Sequence, residues 1–209
     1  MKVRSLGLVL GLIMGMLTAL TVAAPTPAQA GTSISCWSRS QASSYAYTGR
    51  YEGYEWGGGW WNDNNGDDTP GCATDGGSGC EGPDCSGFTF KSWALPNSTG
   101  SSGYVRWAIG ENVHGPYNST SYRDGCGGAC YDVCGGGTGA ACGSASYGST
   151  AAMDGFAQSG HVGMIYSEGS NGYDNIIEAI NNSAGTGIWQ RNYRNQTAYD
   201  GIRRRSWCA

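Results

Sequence analysis

Asp84-Cys85-Ser86-Gly87-Phe88-Thr89-Phe90-Lys91-Ser92-Trp93-Ala94-Leu95-Pro96 is the stretch on which the fold turns. From Ser86 to Leu95 it holds one glycine, and it stops at Pro96, which lacks an N–H and cannot continue a helix. It reads as a short buried helix beginning just after Cys85. A second helix is expected over Val105 to Val113. From His161 onward the pattern becomes that of strands. His161-Val162-Gly163-Met164-Ile165-Tyr166 and Asn175-Ile176-Ile177-Glu178-Ala179-Ile180 flank a loop rich in Ser, Glu, Gly and Asn, and further short strands are expected near Gly187 to Tyr193 and Ile202 to Trp207. Helix first and strands later predicts an α+β domain built on an antiparallel sheet.

The N-terminus has its own logic. Lys2 and Arg4 precede an apolar run from Leu6 to about Ala24, followed by Ala28-Gln29-Ala30. This is the pattern of a cleaved export signal over residues 1–30. Three glycines within the run, and Pro25 and Pro27 at its end, argue against an uncleaved membrane anchor. A secreted product of 31–209 is expected, one catalytic domain that is monomeric and free of the membrane after cleavage. Loss of Lys2 and Arg4 takes the net charge from −4 to −6. Such a balance disfavours nucleic acid or an anionic membrane as partner.

All nine cysteines lie in the exported part, where disulfides persist. An odd count points to one thiol left over. By separation, Cys72 is expected to pair with Cys80, Cys36 with Cys208, and Cys126, Cys130, Cys134 and Cys142 among themselves. The alternative for the Cys126-x3-Cys130-x3-Cys134 run is zinc, a reading that export to an oxidising compartment disfavours. Glycine, 37 residues in all, is concentrated in the same neighbourhoods, near Gly57 to Gly82 and Gly127 to Gly148. These segments, about 57–82 and 124–150, read as disulfide-stapled surface loops.

The start of a helix offers backbone N–H groups and the positive end of the dipole, which lower a thiol's pKa and can hold an oxyanion. Cys85 occupies that position, so it is either a nucleophile or a bridged structural cysteine. Two histidines exist to serve as its base. His114, between Val113 and Gly115-Pro116, reads as a solvated turn residue, whereas His161 opens a strand that can aim its ring. A third group must fix the imidazole. If Tyr166 pairs with Tyr173 across the loop, Glu178 falls directly opposite His161 on the same face of the sheet, whereas a slip of one residue would turn it to the other face.

These residues carry a family resemblance. Asp84-Cys85-Ser86-Gly87-Phe88 resembles the Asp-Cys-Ser-Gly signature around the nucleophile of NlpC/P60 peptidases. Tyr54-Glu55-Trp56-Gly57-Gly58 is similar to their Tyr-x-Trp-Gly-Gly segment, and Gly160 to Tyr166 is similar to the strand bearing the catalytic histidine. Ile176-Ile177-Glu178-Ala179 matches the segment holding the third polar residue, and Leu95-Pro96 and Gly201-Ile202-Arg203-Arg204 fit weaker features. The motifs occur in the family's order over about residues 54–204. The resemblance implies a papain-like α+β fold and a secreted thiol protease acting on peptidoglycan without a cofactor. It implies catalytic roles for Cys85, His161 and Glu178, a Tyr54 hydroxyl near the nucleophile, and Asp84 and Ser86 shaping the adjoining pocket. In the family the usual bond lies between D-glutamate and a diamino acid of the cell-wall stem peptide. The chain departs from the pattern in its two cysteine-rich inserts, in Ala151 to Phe156, where a Pro-Gly-Asp-Leu segment is usual, and in Glu178, where His, Asn or Gln is common. Two rivals remain: an amidase that cuts between N-acetylmuramic acid and L-alanine, and a non-catalytic disulfide-rich binding or inhibitory protein suited by 8 Trp and 13 Tyr.

Overall fold

A computed structural model describes residues 32–34, 36–62, 81–97, 104–135, 141–143 and 149–208, with the backbone alone for 32–34 and 104. The export segment and the Cys72–Cys80 pairing lie outside the described residues. Helix α1 (Arg39–Thr48) begins at a capping box: the Ser38 hydroxyl accepts the Gln41 N–H and the Gln41 side chain accepts the Ser38 N–H. It buries Ala42, Tyr45 and Ala46. Helix α2 (Cys85–Ser92) is capped by Asp84, whose carboxylate accepts the Gly87 N–H at 2.7 Å. All eight of its residues are buried. The third helix, α3, is one short piece (Ser119–Arg123).

Among the described residues the main sheet has six antiparallel strands. In chain order they are β6 (Cys130–Asp132), β7 (Gly155–Gln158), β8 (His161–Glu168), β9 (Asp174–Asn181), β10 (Gly185–Arg191) and β11 (Asp200–Arg204). Across the sheet they run β10-β9-β8-β7-β11-β6. Three two-stranded pieces surround it: β1 (Thr32–Ile34) with β5 (Tyr104–Arg106), β2 (Trp37–Ser38) with β12 (Trp207–Cys208), and β3 (Gly59–Trp60) with β4 (Gly82–Pro83). The chain is thus α+β with an antiparallel sheet. Residues 104–113 differ from the expected helix: they form β5 followed by turns, and the Ile109 and Glu111 carbonyls accept hydrogen bonds from Lys91 Nζ at 2.8 and 2.9 Å. The second cysteine-rich segment is likewise more than a loop, because Cys130–Asp132 adds an edge strand to the sheet.

Alternation along the strands separates two apolar layers. Val162, Met164, Ile177 and Ala179 pack with Phe88, Phe90 and Trp93 from α2 and its C-terminal end in the larger core. Phe156, Ile165, Ile176 and Tyr199 form the second. Cys36–Cys208, Cys126–Cys130 and Cys134–Cys142 are disulfides, and among the described residues Cys85 is the free cysteine. The thiolates that a zinc site at Cys126, Cys130 and Cys134 would need are therefore taken up in bridges.

Candidate active site

The turn of the chain into α2 brings Cys85 to the end of β8. Its sulfur is faced by the backbone N–H groups of Val162, Ser86 and Cys85 itself, which favour a thiolate. Burial and the Asp84 carboxylate act the other way and prevail, so the thiol is pushed up to about 12. The expected lowering by the helix N-terminus is overturned at this position. Only 7 % of the residue is exposed, and desolvation of the anion outweighs the N–H groups that would stabilise it. At neutral pH the resting sulfur is a thiol.

His161 is the first residue of β8 and points to the face away from α2. Its Nε2 lies 2.6 Å from Glu178 Oε2. The pairing differs from the expected direct opposition, because Met164 pairs with Ile177 and one step further along that register Gly163, not His161, lies beside Glu178. The offset of two residues keeps the face, so the side chains meet diagonally. Two features of the strand make this possible. A bulge at Tyr166 shifts the register between Ile165 and Ser167; without it, the pairing of Ser167 with Asn175 at the hairpin tip would continue to Met164 opposite Glu178 and turn the carboxylate to the other face. Gly163 then leaves the space the carboxylate crosses, since a Cβ there would lie 2.9 Å from Glu178 Oε2.

Glu178 has no exposed surface. Its Oε1 accepts from Arg191 Nε at 2.5 Å, and its Oε2 accepts from the Tyr193 hydroxyl at 3.0 Å as well as facing His161. Tyr193 meets the His161 ring edge-on and stacks on Tyr199, with centroids 4.0 Å apart. Because Nε2 is committed to Glu178, Nδ1 is the ring nitrogen left to accept a proton. Cys85 and His161 are not hydrogen-bonded to each other, and the cleft beside Cys85 is lined by His114 rather than His161.

His114 is not the solvated residue expected. Its Nε2 lies 3.0 Å from both Asp84 oxygens and 2.9 Å from Ser86 Oγ, and its Nδ1 lies 3.0 Å from the Gly115 carbonyl. Each nitrogen meets an acceptor, which suits an imidazolium. Burial pulls His114 down, but the hydrogen bond and charge of Asp84 and the Gly115 carbonyl more than offset it and hold the group above its usual value. Burial correspondingly pushes Asp84 up, and His114, the Gly87 N–H and the Ser86 hydroxyl together bring it below the ordinary carboxylate value. This cluster is not a Ser-His-Asp triad. Ser86 and Asp84 meet the same ring nitrogen, whereas a relay needs the nucleophile on one and the carboxylate on the other.

Asp84 is fully engaged: Oδ2 also accepts the Gly57 N–H at 3.0 Å. The Trp-Gly-Gly segment is fitted to this contact, with Gly57 at φ +74° and the Gly58 carbonyl so close to Gly87 that no side chain fits between them. Tyr54 belongs to the same corner by its backbone, which Gly82 packs against. A cleft of about 190 Å³ opens beside Cys85, walled by Trp56, Asp84, Ser86, His114, Asn118 and Ser119. A larger one of about 500 Å³ runs along α1 toward Arg106. Its one cysteine, Cys36, is bridged, so of the two clefts the smaller is the one lined by a free thiol.

Among the described residues no three His, Cys, Asp or Glu side chains are grouped to hold a metal ion, and no helix is long and apolar enough to cross a membrane. Comparison with protein-family models, with curated proteins and with solved structures finds no match to this chain.

Proposed function

We propose that the protein is a secreted cysteine peptidase of papain-like, NlpC/P60 type that hydrolyses peptide bonds in peptidoglycan stem peptides, between D-glutamate and a diamino acid. The observation that carries this reading is the His161–Glu178 contact of 2.6 Å at the strand end where the free thiol of Cys85 arrives. The motif resemblance supplies the substrate class, and the bridges at Cys36–Cys208, Cys126–Cys130 and Cys134–Cys142 suit an exported chain.

In this mechanism His161 Nδ1 takes the thiol proton as sulfur attacks the scissile carbonyl, which a thiol held up to about 12 requires. The N–H groups of Cys85 and Ser86 face the developing oxyanion. Collapse of the tetrahedral intermediate expels the amine, which receives the proton from His161. The imidazole then deprotonates a water that hydrolyses the thioester. Glu178 holds Nε2–H throughout and stabilises the imidazolium.

Purified peptidoglycan digested with the protein and with Cys85→Ala, followed by mass spectrometry of the released fragments, tests the reading. Newly exposed amino groups on a diamino acid are expected with the parent alone. Free L-alanine amino termini would instead indicate the amidase, and undigested wall would indicate a binding protein.

A further inference from the structure

Glu178 is a buried carboxylate shared by His161 and Arg191, of which the mechanism uses the first. Arg191 holds Oε1 through Nε at 2.5 Å while its guanidinium lies over the Trp189 ring, 5.4 Å from the centroid. The Tyr193 hydroxyl holds Oε2 from the next turn of chain. With no water-exposed surface on the carboxylate, its charge is divided among the groups that touch it.

We propose that Arg191 is a positioning residue that, by taking up part of the Glu178 charge, sets how strongly His161 is held as an imidazolium and hence how the proton is divided between Cys85 and His161. The inference rests on the reading of Cys85 and His161 as the reacting pair. The Arg191–Glu178–His161 chain crosses from β10 through β9 to β8, and Gly163 leaves the gap that lets Glu178 reach the histidine. The groups facing the pair from neighbouring elements are Glu178 on β9, Arg191 on β10, Tyr193 and Tyr199 beyond it, Asp84 at the start of α2, and His114, paired with Asp84 in the wall of the Cys85 cleft. Arg191 is the one permanent cation among them. Removing it leaves His161 and the Tyr193 hydroxyl to take up the carboxylate charge, which strengthens the hold of Glu178 on an imidazolium and stabilises a thiolate beside it.

The test is the pH dependence of Cys85 alkylation by iodoacetamide, which needs no substrate. Arg191→Met is expected to move the alkylation limb toward acid by about one pH unit, roughly a tenfold faster reaction at fixed neutral pH. Arg191→Lys is expected to leave the limb in place, and Arg191→Met added to Glu178→Gln to leave it where Glu178→Gln alone puts it. A merely structural ion pair would lower the melting temperature and leave the limb unmoved. That outcome, or an equal shift in the Glu178→Gln background, overturns the proposal. Should Arg191→Met fail to fold, Tyr193→Phe serves: it withdraws one donor from Oε2 and is expected to shift the limb the same way by less, and no shift overturns the proposal. A protein showing these shifts but leaving peptidoglycan intact would sink the substrate reading alone, whereas hydrolysis with an unmoved limb would sink the role of Arg191 alone.

Discussion

Glu178 presents two oxygens to three donors, and this fixes what its replacements do. Glutamine has one acceptor oxygen, so either Arg191 or the His161–Tyr193 side must face an NH2 group. Glu178→Gln should therefore keep measurable hydrolysis but lose roughly 1 to 3 kcal/mol of stability, and Glu178→Ala should lose more of both. Rates and melting curves of the two variants check this; parental values for both would remove Glu178 from the site. His114 and Asp84 make a separate statement about pH. Asp84 is lowered from 3.8, so its contribution is present above that value and is lost as pH falls through the folded value. His114 is raised from 6.5, so its contribution is full below 6.5 and is lost as pH rises through the folded value. The pair therefore stabilises most between those two reference values. The melting temperature gap between the parent and His114→Ala should be widest between those two reference values and narrow as pH rises through the folded value of His114, and a gap independent of pH would mean that packing, not charge, is what the ring contributes. Asp84 and His114 were unequally legible in the sequence. The motif flagged Asp84, but nothing local flags His114, since its partners lie 28 and 30 residues upstream and only the fold joins them.

At the level of elements, β8 and β9 owe the His161–Glu178 contact to a bulge and a glycine. Alternation in the sequence identified both strands and the face that His161 and Glu178 share, but not the bulge at Tyr166. The expected pairing kept the face only because it erred by an even number of residues. Gly163 sits inside a run otherwise suited to a strand, and such a glycine is a signal of close approach. Its replacement by alanine would set a Cβ 2.6 Å from Ile176 Cγ2 and 2.9 Å from Glu178 Oε2. Gly163→Ala should push the carboxylate off His161, cut hydrolysis at least tenfold, and cost about 1 to 3 kcal/mol in stability. Full activity with an unshifted melting point would show that the space is not needed. Helix α1 was legible in principle: Ser38 and Gln41 stand at capping-box spacing, and Ala42, Tyr45 and Ala46 make an apolar stripe. Strand β5 was not. Val105 to Val113 is free of strong breakers until Gly110, yet Lys91, buried and brought down to about 7 by that burial, holds the carbonyls of Ile109 and Glu111 and keeps the segment open. That is a tertiary contact overriding local propensity.

Across the whole molecule, the bridges divide by the length of chain they close. Cys36–Cys208 joins residues 172 apart, whereas Cys126–Cys130 and Cys134–Cys142 join residues 4 and 8 apart. In the loop-entropy view the first is worth about 5 kcal/mol and the others about 2 to 2.5 each. It also clamps β2 to β12, so that α1, which follows β2 directly, is tied to the end of the sheet domain. The sequence carried this pairing through simple separation, and it carried the odd thiol through its count of nine. Which cysteine stays free is decided by the fold, because Cys85 is enclosed at the start of α2 with no second sulfur bonded to it. Two measurements follow from that enclosure. Intact mass after alkylation in denaturant without reductant should show one added group, mapped to Cys85, which requires that Cys72 and Cys80 be bridged. The same reagent on the folded protein at pH 7 should react far more slowly, since the thiol is both covered and held up to about 12. Three added groups under denaturation, on Cys72, Cys80 and Cys85, would leave the first two reduced and remove the bridge expected between them, and a single adduct on a cysteine other than Cys85 would take the nucleophile, and the proposed peptidase with it, away from this site.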